Sequence, residues 1–244
     1  MKTQLALLAC IGLLWTGVAS AQLPSLSPDW QSTKIFQTVE PVFPYQLQQV
    51  SVSSGEARVV INVDASGTLC EWLVIGYTMP EFADVAVRAL KQWKFEPARL
   101  HGEPVGTTVE LVFHFETQGT MVVSQTVTDA VTARMLQLMA GAYVYRPCSL
   151  KDLDRIPTPI NTVSPIYPHD LAGKGVRGKV VINFFIDETG AVRMPSGSVQ
   201  EDERLSGLAI AALRQWKFEP PTRNGKPVLV AAEQVFNFGS TAGD

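Results

Sequence analysis

The chain carries one pattern of hydrophobic and polar positions twice. Each copy contains a stretch in which apolar residues alternate with polar ones, and this period of two is typical of a strand with one buried face. The apolar positions are Ala57, Val59, Ile61 and Val63 in the first copy and Val180, Ile182, Phe184 and Ile186 in the second. Both stretches run into a turn that contains aspartate and glycine (64–67 and 187–190), and a second strand follows, so a hairpin is predicted.

A helix and a last strand complete each copy. Apolar residues spaced three and four apart predict an amphipathic helix that packs on the sheet. They are Phe82, Val85, Ala86, Ala89, Leu90 and Trp93 in the first copy, and Leu205, Leu208, Ala209, Ala212, Leu213 and Trp216 in the second. Pro97 and Pro220 lie just beyond the two helices, where a helix does not continue easily. Renewed alternation then predicts a final strand over 105–115 and over 228–238.

The two copies are a duplication. The hexapeptide QWKFEP occurs at 92–97 and at 215–220, and matched residues keep an offset of 123 from Gly55 and Gly178 to Phe115 and Phe238. A repeat of about 80 residues indicates tandem domains rather than a solenoid. The predicted fold class is α+β, in which each domain is a three-stranded antiparallel sheet with helices on one face.

The predicted domain organisation follows from this repeat. Domain 1 covers 35–118 and domain 2 covers 158–240. The segment 119–157 is predicted to be a helical linker, because apolar residues over 129–140 have helical spacing. A short linker, 22–34, precedes domain 1.

Residues 1–21 have the order of a secretory signal peptide. Lys2 precedes an apolar run over 5–19, and Ala19, Ser20 and Ala21 form a small-residue cleavage site. The alternative is an uncleaved membrane anchor, although a run of about 15 residues is shorter than the roughly 20 that a spanning helix needs. Cleavage would place the mature chain outside the cytoplasm.

The composition argues against one class of partner, and the state of the cysteines has two possible readings. The 20 lysines and arginines are outnumbered by 23 acidic residues, which argues against nucleic-acid binding. Cys10 would leave with the signal peptide. Cys70 and Cys148 could then form a disulfide in an oxidising compartment, and the alternative is a buried free thiol at Cys70.

Candidate catalytic chemistry is sparse. The three histidines, His101, His114 and His169, have no metal-ligand spacing. Asp64 and Asp187 open hairpin turns, where an aspartate usually binds its own backbone. The sequence therefore predicts no enzyme, no cofactor, no metal and no small-molecule substrate.

The ordered motifs of the second copy resemble the C-terminal domain of TonB. They are Pro165, Tyr167, Pro168, Gly178, Asp187, Gly190, Ala209, Trp216, Phe218, Pro220, Asn224, Gly225, Pro227, Phe236 and Phe238. The first copy keeps the pattern, including Pro44 and Trp93, but has Phe43 for the tyrosine and His101 for the asparagine. We therefore expect the second copy to retain any family activity.

The resemblance implies a periplasmic domain that grips the TonB box of outer-membrane receptors. That box is an extended segment that adds as a strand to a sheet edge, where main-chain hydrogen bonds supply affinity. The candidate docking strands contain Val109, Leu111 and Phe113 in the first copy, and Val228, Val230, Ala232, Gln234, Phe236 and Phe238 in the second. The alternative is that these edges are covered by each other or by the linker.

This chain differs from the family's energy transducer in two features that bear on its expected function. The chain has no histidine before His101 and no long proline-rich spacer, so direct energy transduction is not expected. The prediction is a soluble periplasmic binding module linked to TonB-dependent transport. Two alternatives remain open, namely a structural protein whose sheets self-pair or dimerise, and an inner-membrane-anchored transducer with an uncleaved N-terminus.

The intact mass of the protein purified from whole cells, membranes included, tests the N-terminal prediction. Cleavage after Ala21 predicts a chain that begins at Gln22. A mass that begins at Met1 would instead support the membrane-anchored alternative.

Overall fold

The structure is a computed structural model that describes residues 29–125, 143–168, 177–197 and 202–239. The predicted signal peptide and the predicted linker helix over 129–140 lie outside these ranges, as does His169. Among the described residues, no helix is long and apolar enough to cross a membrane.

The first copy forms a four-stranded antiparallel sheet in the order β4-β3-β8-β9, with both helices on one face. Its elements are β1 (Trp30–Gln31), β2 (Lys34–Gln37), α1 (Tyr45–Gln49), β3 (Ser54–Val63), β4 (Leu69–Tyr77), α2 (Pro80–Leu90), β5 (Lys94–Glu96), β6 (Ala98–Leu100), β7 (Glu103–Val105), β8 (Thr107–Glu116) and β9 (Gly119–Gln125). The prediction of three strands is wrong here, because β9 is formed by the first residues of the predicted linker.

The second copy forms a three-stranded antiparallel sheet in the order β12-β11-β16. A short 3-10 helix (Leu150–Asp152) precedes it. Its elements are β10 (Pro159–Asn161), β11 (Gly178–Ile186), β12 (Val192–Gly197), α3 (Glu203–Leu213), β13 (Lys217–Phe218), β14 (Thr222–Arg223), β15 (Lys226–Pro227) and β16 (Val230–Phe238). The two sheets share one register, since Gly55 pairs with Phe115 and Gly178 with Phe238.

The core of each copy lies between the sheet and the helix. In the first copy the inward residues of β3 and β8 pack on α2, whose Phe82 is fully buried. Gly55 is required there, because a Cβ at that position would lie 2.0 Å from a ring carbon of Phe82. Leu205 lies against Gly178 in the second copy, where the Cβ separation would be 3.1 Å.

The repeated QWKFEP segment latches the N-terminal arm of each copy, 34–44 or 158–168, to the end of the helix. The Trp93 indole donates to the Val39 carbonyl at 2.8 Å, and the Trp216 indole donates to the Val163 carbonyl at 2.8 Å. The following residues form β5 and β13, which pair with the arm strands β2 and β10. The hexapeptide is therefore a structural latch.

Each copy contains a tight hairpin, which joins β6 to β7 in the first copy and β14 to β15 in the second. His101 and Asn224 both have φ of 52°, and each is followed by a glycine of positive φ. Two successive residues of positive φ are what a type I′ turn requires, and asparagine and glycine adopt that conformation most easily. His101 occupies it with its ring 3.0 Å from the Asp29 carboxylate.

The two copies pack against each other through sheet faces that point away from their helices. Val60, Leu73 and Ile75 of the first sheet form a buried cluster with Met194 and Leu229 of the second copy. This apolar contact joins the copies on the side opposite their own cores.

Polar contacts surround that cluster. Arg193 on β12 donates through Nε to Glu71 Oε1 at 2.7 Å and through a terminal nitrogen to the Trp72 carbonyl at 3.2 Å. The Tyr145 hydroxyl donates to Glu188 at 2.6 Å, and its ring stacks on Tyr77 at 5.1 Å. The interface therefore combines apolar burial with satisfied polar groups.

Replacing Trp216 tests the latch. Trp216→Phe leaves the Val163 carbonyl without its indole donor, so we expect the free energy of unfolding to fall by about 1–2 kcal/mol. Urea unfolding followed by circular dichroism measures this loss. Trp30→Phe is the matched control, because the buried Trp30 indole nitrogen has no hydrogen-bond partner among the described residues. Equal losses in the two variants would contradict the latch.

Candidate functional site

The outer edge of β16 is the candidate docking site. β16 pairs with β11 on one side and ends the second sheet. Among the described residues, backbone pairing on its other side is confined to its start, where the Cys148 amide donates to the Leu229 carbonyl at 2.7 Å and Cys148 forms a parallel bridge with Val230. Within the described residues, the outward main-chain groups further along the strand pair with no neighbouring strand, and such groups are what an added strand needs.

The direction of the Leu229 carbonyl identifies which residues face outward. Backbone groups alternate sides along a strand, so Ala231, Glu233, Val235 and Asn237 direct their amides and carbonyls away from β11. On this edge the Val235 carbonyl accepts from the Gln234 side chain at 2.9 Å.

The side chains predicted on this strand face the core. Phe236 and Phe238 are buried, and Ala232 packs beside them. Val230 is also buried, Gln234 is half-buried, and Val228 lies just before the strand. The edge therefore offers main-chain groups flanked by outward side chains such as those of Ala231 and Glu233, which are exposed.

The predicted docking edge of the first copy is wrong. β8, which holds Val109, Leu111 and Phe113, pairs with β3 on one side and with β9 on the other. The residues 119–125 return along β8 because Thr117 and Gln118 form a tight turn. The alternative that the linker covers this edge is confirmed. The β-branched run at 122–123 was a sequence signal for a strand that the prediction missed.

Contacts occupy parts of the remaining sheet edges. Tyr77 on β4 pairs with Tyr145 of the connector, and Ala191, just before β12, forms a bridge with Lys217. The outer side of β9 contacts the first arm, since the Thr120 hydroxyl donates to the Pro41 carbonyl at 3.0 Å. The described part of the chain thus leaves β16 as the last strand of a copy with its edge open.

The motif residues of the arms anchor the arm to the core. The Phe43 ring meets Phe82 edge-on at 5.4 Å, and the Tyr167 ring lies 5.8 Å from Phe238. Pro44 precedes the first residue of α1, and Pro168 is half-buried. These residues shape the surface beside β8 and β16.

The structure corrects the cysteine predictions. Cys70 and Cys148 are both free thiols, so the disulfide is not formed, and Cys70 is exposed rather than buried. The two thiols point to different local partners, the Thr68 carbonyl at 3.6 Å and the Ser149 carbonyl at 3.5 Å. Slight desolvation by neighbouring atoms and the Asp64 carboxylate raise the pKa of the Cys70 thiol, which favours its unreactive protonated form.

The duplicated aspartates organise their turns. Asp64 Oδ1 accepts from the Ser66 amide at 2.8 Å and the Thr68 amide at 2.9 Å. Asp187 Oδ1 accepts from the Thr189 amide at 2.9 Å and the Ala191 amide at 3.0 Å. Both carboxylates are thus engaged by their own backbone, as predicted.

The side chain of His114 contacts a carboxylate on the neighbouring strand β3. His114 is half-buried, with Nδ1 2.8 Å from Glu56, and Glu56 also accepts from the Tyr143 hydroxyl. Within the described ranges, no three histidine, cysteine, aspartate or glutamate side chains are grouped to hold a metal ion.

The fold defines a class of proteins with two tandem α+β domains. The sequence profile of the family described as Gram-negative bacterial TonB protein C-terminal matches residues 39–117 and 163–239. Because these segments cover more than half of the chain, the chain belongs to that family and carries two of its domains in tandem. The family is non-enzymatic, its domains interact with outer-membrane receptors, and its proteins are periplasmic or anchored in the inner membrane.

One solved structure and the curated proteins complete the comparison. The solution NMR structure of the Pseudomonas aeruginosa TonB C-terminal domain is similar at 26% identity, with a TM-score of 0.33 over 40% of this chain and 97% of that chain. The comparison with curated proteins found no match.

The turn of the second copy yields a pH prediction. Burial raises the pKa of Asp187, but the hydrogen bonds from Thr189 and Ala191 outweigh it, so the pKa lies below its ordinary value of 3.8. Because the folded pKa is the lower one, the stabilisation is present above the unfolded pKa and is lost as pH falls through the folded pKa.

We expect Asp187→Ala to lower the free energy of unfolding by about 1–2 kcal/mol at neutral pH. The difference from the wild type should shrink below about pH 4. Urea unfolding across pH measures it, with the exposed Asp84→Ala as the control. If the difference in unfolding free energy between the variant and the wild type stayed constant with pH, the Asp187 carboxylate would not be the source of the stabilisation.

Proposed function

We propose that the chain is a soluble periplasmic TonB-like binding module. It captures extended segments, the TonB boxes of outer-membrane receptors, by adding them as a strand to the outer edge of β16, and so serves TonB-dependent transport. Membership of the family supports a TonB-related role. The observation that supports the specific proposal is that, in the part of the chain the structure describes, no strand pairs with the outer edge of β16 beyond Val230.

The geometry supports binding through one copy. β9 covers the corresponding edge of the first copy, so avidity from two simultaneous docking events is not part of the proposal. The buried contact between the copies holds the second copy against the first. In this arrangement the first copy acts as a scaffold and the second as the binding site.

Self-association through the same edge is the competing function. Two β16 edges could pair with each other, because each offers unpaired amides and carbonyls. Glu233 is exposed on the outward positions of both strands, and like charges brought together would oppose that pairing. The charge therefore favours a receptor segment over a second copy.

Blocking the β16 edge tests the proposal. Val235→Pro removes an outward amide without removing a ladder bond to β11, so we expect affinity for a TonB-box peptide to fall at least tenfold. Backbone amide NMR of the labelled chain measures binding and should place the wild-type shifts on Val230–Phe238.

Val235→Ala is the matched control, because it trims the same side chain and keeps the amide. If Val235→Pro binds the peptide as tightly as the wild type does, the edge of β16 is not the docking site. Concentration-dependent dimerisation that Val235→Pro abolishes, with no peptide binding by the wild type, would favour self-association.

A further inference from the structure

The first copy contains a strand bound at the edge that is open in the second copy. β8 and β16 are equivalent, because their pairings with β3 and β11 agree residue by residue at the offset of 123. β9 lies antiparallel along β8, from Glu110 opposite Gln125 to Glu116 opposite Gly119. The equivalent residues of the second copy are Glu233 and Gly239.

Side-chain contacts hold β9 in register. Thr120 lies opposite Phe115, and its hydroxyl donates to the Pro41 carbonyl of the first arm at 3.0 Å. Val122 lies opposite Phe113 and packs on the hydrophobic core of the first copy. A hydroxyl near one end and a β-branched residue two positions later are therefore the features that this edge recognises.

The second copy has the matching partners. Phe115 and Phe113 correspond to Phe238 and Phe236 at the offset of 123, and Pro41 corresponds to Pro165 at the arm offset of 124. Beside Pro165, the Ile166 side chain is 83% exposed, as its counterpart Val42 is at 79%. An apolar side chain thus stands at the same place beside each edge.

Among the described residues, the backbone pairing of the connector with β16 lies at the start of that strand. Cys148 forms a parallel bridge with Val230, and its amide donates to the Leu229 carbonyl. A strand of seven residues, the length of β9, would reach from Glu233 to Gly239. The segment 119–125 carries no charged residue, so it would not be repelled by the exposed Glu233.

We propose that β9 is an internal occupant of the docking edge and that β16 binds a segment of the same chemistry in the same register. That segment is extended, uncharged and antiparallel to β16. It places a serine or threonine opposite Phe238, where the hydroxyl donates to the Pro165 carbonyl, and a β-branched apolar residue opposite Phe236. This inference rests on the proposed docking at β16 and adds the sequence, direction and register of the ligand.

The test uses the chain's own strand as the probe. A capped peptide with the sequence of residues 119–125 is titrated into the labelled chain, and amide shifts should concentrate on 233–238 with one peptide bound per chain. A peptide with Thr120→Val keeps the shape but loses the hydroxyl, so it should bind at least tenfold more weakly. The Thr120→Ser peptide is the matched control and should bind nearly as well as the original.

A spin label on the N-terminus of the peptide tests direction. In the register of β9 the label should broaden the amide of Phe238 more than that of Glu233. Stronger broadening at Glu233, or equal binding of the threonine and valine peptides, would overturn the inference.

The outcomes separate this inference from the proposed function. If a TonB-box peptide binds β16 and the 119–125 peptide does not, the inference fails and the proposed function stands. If the 119–125 peptide binds as expected and the TonB-box peptide does not, the ligand chemistry stands and the receptor partner is wrong.

Discussion

The main-chain hydrogen bonds at the end of each sheet are the constraint on which the rest of this protein depends. A strand at the edge of a sheet exposes a row of amides and carbonyls that must be covered, hydrated or paired with a partner. The duplication created two equivalent last strands, β8 and β16, and the chain treats them differently. It covers β8 with its own next strand, whereas no described strand pairs with the outer edge of β16.

The duplicated hexapeptide belongs to the support of these edges rather than to the edges themselves. Each tryptophan ties the arm to the end of the helix, and each arm then lies beside the last strand. In the first copy the arm also accepts a hydrogen bond from the covering strand. The latch therefore shapes the surface that a docked strand would meet, although no latch residue makes a main-chain contact with such a strand.

Packing between the copies buries side chains that an isolated domain would expose. Residues on the solvent side of an isolated sheet, such as Val60 and Ile75, become buried because the second copy covers them. Arg193 and Tyr145 fix the contact through hydrogen bonds to the first copy and to Glu188. A chain with two such domains on a flexible linker would present both sheets to solvent, whereas here one face of each is used by the other.

The sequence by itself determined the repeat, the helix stripes, the hairpins at Asp64 and Asp187, and the family, because periodicity and turn chemistry are local properties. It placed β16 correctly as a last strand. Only the tertiary structure decided that β9 covers β8, that the two cysteines remain apart, and that the sheets pack face to face. These features depend on which distant segments meet, and hydrogen-bonding capacity along a strand is the same whether its neighbour is its own chain, another copy or a partner.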